Sequence, residues 1–191
     1  PLGVVSIISP WNFPFNVPIR KITPALMAGN SCIFKPASLT AQTGCFLAQM
    51  FEEADVIPGV FNMLTGSGAE VGDMMISDPR IKAISFTGST EVGMEIQKKS
   101  AANAIRTQLE MGGKNATVIL EDADIESAVS AVARASFACS GQWCTSTSRV
   151  IVVNKVAREV TEKLVNATNS IIVGNGFDNS AGMGPVCGTA Q

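Results

Sequence analysis

Short apolar runs alternate with segments of helical periodicity along the first half of the chain. Four runs have the length and composition of buried strands: 4–9, 31–34, 60–64 and 83–86. Helical spacing of apolar residues predicts helices in four further segments: 20–28, 43–54, 70–76 and 91–100. Four successive strand–helix units are typical of a doubly wound α/β domain, a parallel sheet covered by helices on both faces. In such a domain we expect the ligand outside the carboxyl ends of the strands.

The alternation continues beyond Gly112 and Gly113. Strands are predicted at 116–120 and 150–153, and helices at 124–137 and 156–170. The last segment, from residue 174, is rich in Gly and Asn and is predicted to be loop. We take the double glycine as the domain boundary, which gives units 1–112 and 113–191.

Composition excludes several classes of protein. The 191 residues are 46% hydrophobic and 16% charged, which excludes a disordered chain. With 14 Lys and Arg against 16 Asp and Glu and no basic run, nothing supports binding to nucleic acid or to a membrane surface. No apolar run approaches the roughly 18 residues of a membrane helix. Because the chain begins in a strand-like run without Met or a basic leader, we expect an internal fragment of a longer protein.

The histidine and cysteine content limits the catalytic mechanisms and metal sites that the chain can contain. There is no histidine, which excludes Ser-His-Asp and Cys-His catalysis and histidine metal sites within the chain. Five cysteines without a C-x-x-C motif indicate neither a disulfide framework nor a zinc site, so we expect a reducing, cytoplasmic compartment. Cys32, Cys45 and Cys139 are predicted to be small buried hydrophobic residues. Cys144 lies in a short polar turn that could expose its sulfur, although a buried role stays open.

Two glycine-containing turns each join a predicted strand to a helix. Gly66, Gly68 and Gly72 follow one strand with spacing that would let backbone amides approach a pyrophosphate, and an ordinary glycine turn is the alternative. Gly88 and Ser89 follow another strand, where a serine helix cap is the alternative.

Charged and polar side chains at two further strand ends complete the candidate site. Lys35 and Ser38 follow the second strand, where an acid would hold a ribose 2′-hydroxyl and repel a 2′-phosphate, so we expect NADP to be tolerated. A solvated lysine is the alternative. Glu110 stands beside Gly112 and Gly113, and the alternative there is a surface carboxylate next to Lys114.

Five motifs in order resemble those of the NAD(P)-dependent aldehyde dehydrogenase superfamily. They are Pro10-Trp11-Asn12-Phe13-Pro14, Lys35-Pro36-Ala37-Ser38, Phe86-Thr87-Gly88-Ser89-Thr90, Leu109-Glu110-Met111-Gly112-Gly113-Lys114-Asn115 and Gly141-Gln142-Trp143-Cys144. Their separations match as well: Lys35 follows Asn12 by 23 positions and Cys144 follows Glu110 by 34. Family chains are more than twice as long. The resemblance implies an NAD(P)-binding domain at 1–112, with its N-terminal part missing, and the beginning of a catalytic domain at 113–191.

The resemblance also implies roles for single residues. Cys144 would be the nucleophile, Asn12 and the Cys144 backbone N–H would hold the oxyanion, and Glu110 would activate water. Cofactor contacts would come from six residues: Trp11, Lys35, Ser38, Gly68, Gly88 and Ser89. The full-length chain would be a homodimer or homotetramer, and the fragment alone is expected to be inactive.

For the substrate, Arg20 is the informative residue. It lies eight residues after Asn12, where semialdehyde dehydrogenases that resemble this chain bind the substrate's distal carboxylate. Ala138 stands where succinic semialdehyde enzymes carry a second arginine, and Trp143 places a bulky ring beside the nucleophile. The motifs look closest to those of α-ketoglutaric semialdehyde dehydrogenases. A surface role for Arg20, a broad-specificity enzyme for uncharged aldehydes and a non-catalytic nucleotide-binding relative remain alternatives.

Overall fold

The chain contains two compact units in the computed structural model, which describes residues 1–189. The first covers Pro1–Gly112 and the second the rest of the chain. Within the described residues, no helix is both long and apolar enough to cross a membrane. The roles assigned above to the two units, NAD(P) binding and catalysis, stay predictions.

Every predicted element is present, with bounds that differ by up to four residues. The strands are Val4–Ile8 (β1), Ser31–Lys35 (β2), Phe61–Met63 (β3), Ile81–Gly88 (β4), Arg106–Met111 (β5), Asn115–Ile119 (β6) and Thr147–Val152 (β7). The α-helices are Asn16–Met27 (α1), Ala41–Glu53 (α2), Asp73–Ser77 (α3), Thr90–Ala101 (α4), Ile125–Phe137 (α5) and Asn154–Asn169 (α6). A π-helical turn, Gly68–Gly72, leads directly into α3.

The first unit is a five-stranded parallel sheet of order β3-β2-β1-β4-β5. The order reverses beside β1, which pairs with β2 on one side and β4 on the other. All carboxyl ends therefore lie at one edge of the sheet. The prediction of a doubly wound α/β fold is confirmed.

Side chains alternate between two faces of this sheet, and each face has its own core. Val5 and Ile7 of β1 pack with Ile22 of α1 and Leu47 of α2 on what we call the α1 face. The opposite α4 face carries Ile8, Ile33, Ile84 and Phe86, which pack with Ile76 of α3 and Ile96 of α4. The two faces account for the near-continuous apolar runs of the central strands, because both sides of each strand are covered.

The second unit pairs β6 and β7 in parallel and packs them against α5 and α6. Its core contains Ile119, Val129, Val132 and Val160, each at most 4% exposed. Asp124 begins α5 by accepting the Ser127 backbone N–H at 2.7 Å, a helix cap of the usual kind.

We predict that Gly44→Ala destabilises the first unit. Gly44 is buried in α2, and a Cβ there would lie 2.7 Å from Pro36 Cγ and 3.2 Å from Met63 Sδ. Overpacking of this kind costs about 1–3 kcal/mol. Urea unfolding would measure the loss, with Gly176→Ala as the control because a Cβ at Gly176 meets no atom within 4 Å. Equal unfolding midpoints for the two variants would contradict the prediction.

Candidate active site

A cavity of about 350 Å³ lies on the α4 face, outside the carboxyl ends of β1 and β2. Ile8 and Lys35 form its floor, the π-helical turn contributes Gly68, and α4 contributes Val92. This is the place where doubly wound sheets bind their ligands. Two of the six predicted cofactor residues, Lys35 and Gly68, line it together.

Lys35 is only 6% exposed, so the alternative of a solvated lysine is wrong. Its ammonium donates to the Pro36 carbonyl oxygen at 3.3 Å, a contact that uses one of three N–H bonds. Burial lowers the pKa of Lys35. A buried ammonium with donors to spare fits the hydroxyls of an adenosine ribose or the oxygens of a phosphate, so the cavity fits a dinucleotide cofactor.

The glycine turn beside this cavity combines backbone strain with an open surface. Gly66 has φ +145°, and a Cβ there would lie 2.5 Å from Val71 Cγ2. The geometry of the turn therefore explains why position 66 is a glycine. The following Ser67 caps the helical turn, since its hydroxyl accepts the Glu70 N–H at 3.1 Å. A Cβ at Gly68 would meet nothing within 4 Å. No packing contact therefore requires Gly68, which leaves space beside the cavity.

The remaining predicted cofactor residues of the sheet lie close to the same edge. The Ser38 hydroxyl donates to the Gly66 carbonyl oxygen at 3.5 Å, which joins the loop after β2 to the glycine turn. Ser89 is the N-cap of α4 and accepts the Val92 N–H at 3.3 Å, so the cap alternative is confirmed for it. A Cβ at Gly88 would lie 2.5 Å from Phe86 Cζ, which gives this glycine a packing role.

Two carboxylates also border the cavity, and sequence reasoning missed them. Asp73 and Glu95 both lie in its wall. Lys99 pairs with both, at 2.9 Å and 2.8 Å, which partly neutralises their charge. The i,i+4 spacing of Glu95 and Lys99 on α4 was the available signal.

Glu110 belongs to the opposite, α1 face of the sheet. Register pairs Gln108 with Ser85 and Glu110 with Thr87, so these four side chains point to the same side. Lys21 of α1 completes this group. The strand β5 that carries Glu110 was not predicted, because only Leu109 and Met111 are apolar and polar residues occupy its other four positions.

The segment between β1 and α1 holds Trp11 and Asn12, both half-buried. Arg20 lies one residue before Lys21 on α1 and is exposed. Its exposure agrees with either of the two roles predicted for it.

In the second unit, Cys144 is exposed in a tight loop between α5 and β7. Cys139, Ser140 and Gly141 precede it with φ of +50°, +61° and +71°. Such left-handed backbone is costly for residues other than glycine.

Contacts with the final segment of the chain hold this loop. The Ser140 hydroxyl donates to the Gly184 carbonyl oxygen at 2.7 Å, and the Gln142 side-chain oxygen accepts the Cys187 N–H at 2.7 Å. Cys144 itself accepts a hydrogen bond on its carbonyl oxygen from Asn115 Nδ2 at 3.2 Å. The predicted polar turn is confirmed, and the final segment contributes to its shape.

Trp143 is half-buried within the same loop. Its backbone N–H donates to the Ser146 hydroxyl at 3.3 Å, and its carbonyl oxygen accepts the Ser146 N–H at 3.2 Å. These two hydrogen bonds close the turn around Cys144.

The predicted burial of three other cysteines is right for only one. Cys32 is fully buried in the sheet, and desolvation raises the pKa of its thiol to about 11. Cys45 and Cys139 are exposed, contrary to the prediction. Cys45 lies on the outer side of α2, where helical periodicity places it away from Leu47, and the left-handed conformation of Cys139 turns it out of the α5 core. Residues 1–189 contain no cluster of acidic or thiol groups suited to a metal ion.

Comparison with known proteins identifies the family. The sequence profile described as "Aldehyde dehydrogenase family" matches residues 1–191. The chain belongs to the aldehyde dehydrogenase family. The family resemblance derived from the five motifs is thereby confirmed.

Individual aldehyde dehydrogenases are similar to this chain over its whole length. It is 44% identical to alpha-ketoglutaric semialdehyde dehydrogenase of Bacillus subtilis and 42% identical to 2,5-dioxopentanoate dehydrogenase of Saccharolobus solfataricus. All of this chain is covered in both matches, but only 39% and 40% of those relatives. Betaine aldehyde dehydrogenase of Staphylococcus aureus, solved with NAD+, superimposes with a TM-score of 0.97 at 38% identity, covering 100% of this chain and 38% of that one. The chain thus spans about two fifths of the length of these relatives.

We predict that Cys144 and Cys32 differ sharply in alkylation. Iodoacetamide at pH 8 should modify the exposed Cys144 and leave Cys32 unmodified, because Cys32 is buried and its pKa is near 11. Peptide mapping by mass spectrometry would measure both sites, and unfolding in urea should make Cys32 reactive. Rapid modification of Cys32 in the folded protein would contradict its place in the core.

Proposed function

We propose that the protein to which this chain belongs oxidises an aldehyde to the carboxylic acid with NAD(P)+. The observation that carries the proposal is the exposed Cys144, which lies in the motif whose resemblance to the family assigns it the role of nucleophile. The cavity beside the Lys35 ammonium, which uses one of its three N–H bonds on the Pro36 carbonyl oxygen, supports the binding of a dinucleotide.

In the proposed reaction the Cys144 thiolate adds to the aldehyde carbon and forms a thiohemiacetal. The oxyanion receives hydrogen bonds from the Asn12 side-chain amide and the Cys144 backbone N–H, and the loss of one such donor typically costs ~10²–10³ in rate. When bound, NAD(P)+ would supply the acceptor for the hydride that leaves this carbon. A thioester on Cys144 remains.

Hydrolysis of the thioester completes the cycle. Glu110 takes a proton from water, the resulting hydroxide attacks the thioester carbonyl, and the acid leaves as Cys144 is released. A carboxylate is the general base that a chain without histidine would use for this step. Its presence favours hydrolysis over transfer of the acyl group to coenzyme A.

For the cofactor, we propose that Lys35 binds the adenosine ribose and that NADP is used as well as NAD. Ser38 is neutral where strict NAD enzymes of this family commonly carry glutamate, so it would not repel a 2′-phosphate. Gly68 lines the cavity, and Trp11, Gly88 and the α4 cap residue Ser89 complete the proposed contacts.

For the substrate, we propose a carboxylate-bearing semialdehyde such as α-ketoglutaric semialdehyde. Arg20 is exposed and free of a described ion pair within residues 1–189, so its guanidinium can pair with a distal carboxylate in two parallel hydrogen bonds. The names of the Bacillus and Saccharolobus relatives support this class. The similarity to a betaine aldehyde dehydrogenase favours the alternative, an enzyme for aldehydes without a carboxylate.

We also propose a compartment and an oligomeric state for the full-length protein. The five cysteines are all free, which supports a reducing, cytoplasmic compartment. The family resemblance supports a homodimer or homotetramer of the full-length chain.

We predict that two substitutions separate the two halves of the reaction. In the full-length enzyme Cys144→Ser should abolish NAD(P)H production, whereas Glu110→Gln should keep the first turnover and lose steady-state hydrolysis by at least ~10²-fold. Stopped-flow absorbance of NAD(P)H would resolve the burst from the steady state, with NAD and with NADP. Cys45→Ser, an exposed cysteine on α2, is the matched control. Full activity of Cys144→Ser would overturn the proposed mechanism.

We predict that Arg20→Leu acts on substrate binding alone. The KM for α-ketoglutaric semialdehyde should rise about 10- to 100-fold, because a hydrogen bond between charged groups is worth about 1.5–3 kcal/mol. The KM for hexanal should stay unchanged. Arg158→Leu, at an exposed arginine of α6, is the control. If Arg20→Leu changes the KM for both aldehydes equally, Arg20 is a surface residue and the alternative substrate class gains support.

A further inference from the structure

Gln108 links the candidate base Glu110 to a cation within the first unit. Its side-chain oxygen accepts hydrogen bonds from Lys21 Nζ at 2.7 Å and from the Ser85 hydroxyl at 2.7 Å. Its side-chain nitrogen donates to Glu110 Oε1 at 2.9 Å. The three contacts use both ends of the amide at once.

The two ends of this amide cannot be exchanged. A flipped Gln108 would place its NH₂ group against the Lys21 ammonium and the Ser85 hydroxyl, and its oxygen against the Glu110 carboxylate. Both contacts would become repulsive, because ammonium groups only donate and carboxylates only accept hydrogen bonds. Lys21 is itself held by Ser85 at 2.9 Å and by the Phe86 carbonyl oxygen at 3.3 Å. The N–H that reaches Glu110 is therefore fixed in direction by the sheet and by α1.

Other charged groups around Glu110 are few. Lys21 is the group of α1 whose charge interacts with Glu110; desolvation lowers the pKa of Lys21, and the Glu110 charge raises it. Arg106 lies on the same face of β5, and Arg20 is exposed beside Lys21 on α1. The strand β4 presents Ser85 and Thr87 to this face, both uncharged.

The helix α4 packs against the other face of the sheet. Its Gly93 faces Met111 and Phe86 there, so its charged residues lie across the sheet from Glu110: Glu91, Glu95, Lys98 and Lys99. The groups that act on Glu110 within this unit are thus those of the α1 face.

We infer that Gln108 is a positioning residue, which holds Glu110 by one carboxylate oxygen and leaves the other oxygen to accept a proton from water. The inference rests on the proposed role of Glu110 as general base. A tether to one oxygen restricts the side chain to a small set of orientations, and poor placement of a catalytic group costs up to about 100-fold in rate.

The test uses Gln108→Met in the full-length enzyme, because methionine keeps the length of the side chain without its amide. We expect kcat to fall about 10- to 100-fold while the burst of NAD(P)H keeps its amplitude. Gln42→Met, at an exposed glutamine of α2, should change neither kcat nor the burst amplitude.

A double variant distinguishes this inference from the proposed function. If Gln108 acts through Glu110, Gln108→Met should change the residual kcat of Glu110→Gln by less than about twofold. Equal losses in both backgrounds, or loss of the NAD(P)H burst in Gln108→Met while Glu110→Gln keeps its burst, would overturn the inference and leave the proposed function standing. Wild-type hydrolysis by Glu110→Gln would overturn the role of Glu110, and the role of Gln108 with it.

Discussion

Parallel pairing of β1 with both β2 and β4 is the constraint on which the first unit depends. Parallel strands cannot be joined by tight turns, so a helix that crosses a face of the sheet follows each of the strands β1 to β4. All strands consequently end at the same edge, and the loops that follow them carry the candidate cofactor residues. Lys35, Ser38, Gly88 and Ser89 are distant in sequence and share this edge because of that pairing alone.

Because successive side chains of a strand point to opposite faces, the candidate cofactor residue and the candidate base lie on different faces of the sheet. Lys35 pairs in register with Ile8 and points toward α4, whereas Glu110 pairs with Thr87 and points toward α1. A shift of one residue in β5 would exchange Glu110 for Leu109 or Met111 and place the carboxylate in the α4 core. Packing of Met111 against Gly93 opposes that shift, so an apolar contact on one face maintains the polar group on the other.

Much of this arrangement could be predicted from local patterns. Apolar runs located six of the seven strands, and ordered motifs identified the family, because both signals lie within a few consecutive residues. Two of the features that escaped prediction depend on contacts distant in the chain. The hydrogen bond of Gln108 to Lys21 joins residues 87 apart, and the loop of Cys144 is tied to residues near 184–187. The exposure of Cys139 follows from a backbone conformation that residue type alone does not indicate.

The three residues with left-handed backbone before Cys144 limit the substitutions that this loop tolerates. Each non-glycine residue in that conformation costs about 1–2 kcal/mol, so Cys139 and Ser140 are maintained against their local preference by the rest of the second unit. Branched side chains such as valine or isoleucine are unsuited to either position, whereas asparagine and glycine adopt this backbone readily. A library that diversifies the loop would therefore lose most of its members at 139–141 and should vary the exposed Thr145 instead.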